Sequence, residues 1–152
     1  MNEGESRSEP EIGVEAWELV LRTHATLIPL LSEQLETATG LPLSWYDVLL
    51  ELDRAPEDQL RMTDLGERVV LSRSHVSRVV DQLVQAGLVD KISDETDRRS
   101  TRAVLTAKGR QLFRKAAVVY LAAIGDHFSD QLTARQSRAI VDGLRSVLNN
   151  HE

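Results

Sequence analysis

Arg73, Ser74, His75, Ser77 and Arg78 crowd into one short stretch of the chain, and Asp97, Arg98 and Arg99 follow on a second. These types recognise rather than react. Arginine can donate bidentately to guanine O6 and N7, while serine and histidine donate or accept at base edges and phosphates. Ser74 and Arg78 stand four residues apart, so a helix would project both from one face, with His75 and Ser77 flanking it and Arg73 at phosphate or base. Ser72 is expected to cap that helix and leave backbone amides facing outward, a natural phosphate site. Arg99 is suited to a narrow A·T-rich minor groove, whose width and negative potential attract arginine. The plain alternatives are a solvated helix face for the first group and an Asp97–Arg99 surface ion pair, worth about 0–1 kcal/mol, for the second.

Such side chains need a helix and a hairpin to hold them. Val76, Val79, Val80 and Leu83 form an apolar stripe opposite the polar row, predicting a helix over 73–86 closed by Gly87. Thr63 is expected to cap a helix over 64–70 before it, and Leu60–Met62 reads as a short strand. Leu88–Ile92 and Thr101–Leu105 read as strands around a polar loop, Ser93–Ser100, that carries the second group. Ser44 is expected to cap a helix, WYDVLLELDRA, stopping before Pro56. The segment 44–106 is thus expected to be a winged helix-turn-helix lobe.

The two ends are different. Val14, Trp17, Leu21, His24, Ile28, Leu31 and Leu35 are spaced 3, 4, 3, 4, 3, 4, a stripe of about six turns resembling a helix–helix seam. Pro29 is expected to kink that helix near Ala25, and Gly40 and Pro42 end it. Thr106 caps a further helix to about Ser129 with apolar residues on much of its circumference, and Thr133 caps a last one with Ile140, Val141, Leu144, Val147 and Leu148 along one face. Segments 12–40 and 107–152 are expected to be dimerisation helices, giving one domain over 12–152 behind a disordered tail at 1–11. The expected fold class is mainly α with a small β wing. A two-fold dimer matches the symmetry of a pseudo-palindromic double-stranded DNA site.

The formal charge of −6 argues against nucleic acid only as a whole-chain average. Residues 63–115 hold 11 Lys or Arg against 7 Asp or Glu, whereas residues 1–62 hold 4 against 13, so the basic surplus falls on the suspected lobe. The absence of cysteine excludes disulfides and thiolate metal sites. His24, His75, His127 and His151 form no close ligand pattern, so no metal or cofactor is expected. No phosphate loop, nucleophile elbow or carboxylate–histidine motif suggests catalysis. Gly66 and Gly109 stand alone inside helical patterns, where they are expected to allow close packing. No apolar run reaches the roughly 20 residues of a membrane helix, and the polar N-terminus lacks a signal-peptide core. A cytoplasmic protein without a membrane partner is expected.

With those elements in order, the chain resembles MarR-type transcriptional regulators from about Val14 to Leu148. LSRSHVSRVVDQLVQAGLV (71–89) and DETDRRSTRAVLTAKGR (94–110) carry the resemblance, the second through Asp97, Arg99, Leu105 and Thr106, with LPLSWYDVLLEL (41–52) ahead of them. It implies a homodimer that binds an inverted-repeat operator, usually as a repressor, and is often released by a small aromatic or anionic molecule. It also implies that Asp97 orients Arg99, with Arg98 supporting it or meeting phosphate. The effector crevice of the family lies between the lobes, where His24, Trp45 and Tyr46 are candidates. His24 as a seam residue and Tyr46 as core are the plainer readings. His75 stands where many relatives have Thr, so operator sequence does not transfer. An activator or dual regulator would use the same DNA chemistry. A protein-interaction module on the same scaffold is a further alternative, against which Arg73, Arg78 and Arg99 speak.

Overall fold

The computed structural model describes residues 8–93, 96, 97 and 99–151. Helix α1 (Glu9–Thr39) starts with a capping box in which Ser8 N donates to Glu11 Oε2 at 2.7 Å. Residues 9–11, expected in a disordered tail, therefore form its first turn, and residues 1–7 lie outside the described residues. The helix runs through Pro29 as one element and stops at Gly40, whose φ of 70° suits a residue without Cβ.

Helix α2 (Leu43–Arg54) buries Leu43, Tyr46, Val48, Leu49 and Leu52. Strand β1 (Gln59–Arg61) and helix α3 (Met62–Arg68) follow, and then a 3-10 turn (Arg73–His75) leads into helix α4 (Val76–Gln85). Strands β2 (Val89–Ser93) and β3 (Thr101–Leu105) complete a three-stranded antiparallel sheet in the order β1-β3-β2, with Leu60 opposite Ala103 and Val89 opposite Leu105. The expected mainly α fold with a β wing is what the structure has.

Of the five expected side-chain caps, Thr106 and Thr133 form: Thr106 Oγ1 accepts Gly109 N at 3.0 Å and Thr133 Oγ1 accepts Gln136 N at 3.3 Å. Ser44, Thr63 and Ser72 do not cap. Ser44 and Thr63 lie within first turns, behind Pro42 and Arg61 at the N-cap positions, and Ser72 makes no cap bond.

Helix α5 (Ala107–His127) is fastened to the winged lobe at its start. Thr106 Oγ1 donates to Gly87 O at 2.9 Å, Lys108 Nζ donates to Ala86 O at 3.0 Å, and Arg110 pairs with Asp58. Gly109 presses on Leu88, where a Cβ would stand 2.1 Å from the carbonyl oxygen, so only glycine fits. Gly66 is different: a Cβ there would meet Val76 Cγ1 at an ordinary 3.6 Å. Tyr46 of α2 sits between Phe113 and Tyr120 of α5, with ring centroids 5.3 Å and 4.7 Å away. Burial pushes both tyrosine hydroxyls to higher pKa, Tyr46 aided by Tyr120 and Tyr120 by Asp47.

One core joins α2, α3, α4, the sheet, Leu35 of α1 and Phe113 and Ala116 of α5. The ends of the chain stay outside it. Val14, Trp17 and Leu21 on α1 are exposed, as are Val118 and Leu121 on α5. Helix α6 (Ala134–Asn149) buries no residue at all, leaving Val141, Leu144, Val147 and Leu148 in the open. An open groove of about 760 Å³ between α1 and α5 is floored by Leu30, Val118, Val119 and Ala122 and edged by Glu33 and Asp126. Among the described residues, no helix is long and apolar enough to cross a membrane.

Candidate nucleic-acid interface

The recognition row is exposed, but the helix expected over 73–86 is an α-helix only over Val76–Gln85, with Arg73–His75 on a 3-10 turn before it. Val79, Val80 and Leu83 of α4 are locked into the core. Arg73, Ser74, His75, Ser77 and Arg78 are all exposed, the first three on the 3-10 turn and the last two on the first turn of α4. The polar face is thus held by an apolar one that cannot rotate without opening the core.

Ser72 departs from expectation. It is 2% exposed, so its side chain does not lie on the outward surface. Its hydroxyl points inward and donates to Asp47 Oδ2 at 3.4 Å. The same oxygen accepts Val70 N at 3.0 Å and Leu71 N at 2.7 Å. A buried carboxylate from α2 thus answers three donors ahead of the turn, while the His75 amide, which a Ser72 cap could have taken, donates to Ser72 O at 2.9 Å. From the same turn of α2, Trp45 Nε1 donates to Gln82 Oε1 on α4 at 3.2 Å.

The wing is braced on both sides. Lys91 at the root of β2 pairs with Asp81 on α4, and Arg61 Nη2 of β1 donates to Thr96 Oγ1 at 3.3 Å. At the tip, Asp97 Oδ1 accepts Arg99 N at 3.0 Å and Asp97 O accepts Ser100 N at 2.9 Å. Asp97 therefore shapes the turn that carries Arg99 through its backbone, and both side chains are exposed. Arg98 lies outside the described residues.

The three residues expected at an effector pocket do not converge. Tyr46 is core, filled around by Phe113 and Tyr120. Trp45 is half-buried and bonded to Gln82. His24 is exposed on α1, one turn before Ile28, where the helix begins to pack against the core. The α1–α5 groove includes none of the three. Among the described residues no group of His, Asp and Glu is placed to hold a metal ion.

Sequence reasoning missed Asp47, Gln82, Asp81, Lys91 and Arg61, which position the interface. The one local signal was a carboxylate inside α2 between inward-facing Tyr46 and Val48. Its partners lie 23 to 25 residues away.

A buried helix with an exposed polar face, followed by a braced two-stranded wing, defines the winged helix-turn-helix class, here flanked by long helices at both ends. Within that class the chain is similar to the MarR family of transcriptional regulators. A MarR family model matches residues 39–100, the winged lobe. AbsC, a MarR family transcriptional regulator from Streptomyces coelicolor, is 28% identical, with 95% of each chain covered and a TM-score of 0.82. Sco3205, another MarR family transcriptional regulator from that organism, solved in complex with DNA, is 27% identical over 98% of this chain and 92% of its own, with a TM-score of 0.83. The organohalide-sensing regulator RdhR-CbdbA1625, solved with 2,4-dichlorophenol bound, shares the fold at 17% identity, covering 99% of this chain and 89% of its own with a TM-score of 0.78. No curated protein matches the chain in sequence.

Proposed function

We propose that this chain is a homodimeric, sequence-specific DNA-binding repressor of an inverted-repeat operator, released by a small aromatic or anionic molecule. The observation that carries the reading is the exposed row Arg73, Ser74, His75, Ser77 and Arg78, on the 3-10 turn and first turn of a helix whose other face is immobilised in the core. Ser74, His75, Ser77 and Arg78 read base edges in the major groove, Arg73 meets phosphate or base, and Arg99 at the wing tip enters the adjacent minor groove. Ser72 and Asp97 serve from behind, through the backbone they hold. Sco3205, which the chain resembles, is solved with DNA.

The second half of the reading rests on the exposed apolar faces of α1, α5 and α6. A second copy covers them and sets two recognition helices about one DNA turn, 34–36 Å, apart. The segments 12–40 and 107–152 then act as the dimerisation helices. Of the expected pocket residues, Trp45 is half-buried and bonded to Gln82 within the winged lobe, which leaves it partly open to a ligand. An effector would act only through its difference in affinity for the binding and released geometries. In a Trp17→Phe background, quenching of Trp45 by benzoate or phenols checks that role, and an unchanged spectrum across them counts against it.

Selection from random duplex DNA, followed by a salt titration, tests the whole. The expected result is an enriched inverted repeat with half-sites about 10 base pairs apart and a steep log–log loss of affinity with salt. Absence of enrichment would overturn the reading. An activator would select the same site, and its position relative to a promoter separates the two.

A further inference from the structure

Residues 70–72 connect α3 to the 3-10 turn that opens the recognition segment, and they belong to no helix or strand. Val70 is 79% exposed and Leu71 38%, so side-chain burial does little to hold this connection. What holds it is one oxygen. Asp47 Oδ2 takes the N–H of Val70, the N–H of Leu71 and the hydroxyl of Ser72. Three donors converging on a carboxylate that is 7% exposed make a charge-assisted clamp in a water-poor site. Two residues away on α2, Trp45 holds Gln82, farther along the same recognition helix. The first turn of α2 thus grips the reading element at its entry and again along its length.

We propose that Asp47 is a positioning residue for sequence reading: it fixes the pose in which the row from Arg73 to Arg78 meets base edges, without touching DNA. The proposal rests on the DNA-binding reading above. Its signature follows from the tolerances of the two kinds of contact. Base-edge hydrogen bonds need placement within about 0.5 Å. Long arginine side chains reaching phosphates accommodate larger errors and carry no sequence information. Loss of the clamp should therefore erase discrimination before it erases affinity for DNA in general, an outcome that a purely structural role does not give.

The test uses the full-length protein and its selected operator. Asp47→Ala should weaken operator binding by at least about tenfold, the size of one lost charge-assisted bond. Affinity for random duplex should change by less than about twofold, because the phosphate contacts are intact. Asp47→Asn keeps a carbonyl oxygen where Oδ2 stands and should restore most of the operator affinity. Asp47→Glu keeps the charge but displaces the oxygen by a methylene, and should behave like Asp47→Ala; it replaces that variant if the alanine protein does not fold. Equal losses for operator and random duplex, or no loss in Asp47→Glu, would overturn the proposal. Exchange of the Val70 and Leu71 amides, measured without DNA, should accelerate in Asp47→Ala while those of α2 do not. If the wild-type protein selects no operator, the regulator reading fails. The amide measurement then still decides whether Asp47 holds residues 70–72, and unchanged exchange would sink the clamp itself.

Discussion

The winged lobe and the outer helices are built from the same aliphatic residues but end in opposite states. Leu49, Leu52, Leu65, Val80 and Leu83 lose all contact with solvent within a single chain. Val14, Leu21, Val141, Leu144 and Leu148, on helices just as regular, remain between 43% and 64% exposed. The lobe closes because its helices and sheet approach from several directions and each apolar face meets another. Helix α6 has an equally clear stripe and nothing of its own chain to lay it on. Periodicity alone therefore marks a face that will be buried, but not which molecule buries it.

The same truncation in each region should break or sharpen this contrast. Leu83→Ala should cost about 2–5 kcal/mol of unfolding free energy, read from urea titration. Leu144→Ala should leave unfolding of the dilute chain unchanged and raise the dimer dissociation constant by about ten- to a hundredfold, read by sedimentation. A large change in the dilute chain's stability would mean that α6 packs on its own chain after all. Arg99→Ala, on the exposed edge of the closed lobe, should weaken operator binding at least about tenfold while dimerisation and melting stay as they were; unchanged affinity in a fluorescence titration would remove Arg99 from the interface.

The smallest effect belongs to the start of α1. The Ser8 backbone N–H, with the Ser8 hydroxyl, lowers the pKa of Glu11 from its ordinary 4.5. A depressed carboxylate stabilises the folded end above that ordinary value and loses the contribution as pH falls through the lowered one. Amide shifts of residues 8–12 should show the first turn fraying in acid while the winged lobe stays intact. Parallel loss in both regions would contradict the independence of the two.

Much of this was legible in the sequence where the cause was local. The apolar stripe of Val76, Val79, Val80 and Leu83 oriented the recognition row, and Thr106 and Thr133 capped helices whose first-turn amides lie within reach. Ser44, Thr63 and Ser72 had the right chemistry for caps but not the right place: α2 and α3 start two residues earlier than expected, and Ser72 turns inward to Asp47. Asp47 was invisible because its partners are brought to it only by the packing of α2 against the helix-turn-helix. His24 followed the seam periodicity, yet periodicity says nothing of how far it lies from Trp45.

The fastening of α5 carries a mechanical consequence. Thr106, Lys108 and Gly109 tie its first turn to the segment 86–88 by hydrogen bonds and by a contact that admits no side chain. That junction cannot serve as a hinge. Helix and wing must swing together, and α5, with 21 residues, is a lever about 30 Å long. A tilt of about 10° moves its far end by about 5 Å over that length. Small rotations of the reading head are thereby magnified at the opposite end of the molecule, and a modest displacement imposed there is geared down into a fine adjustment of the wing.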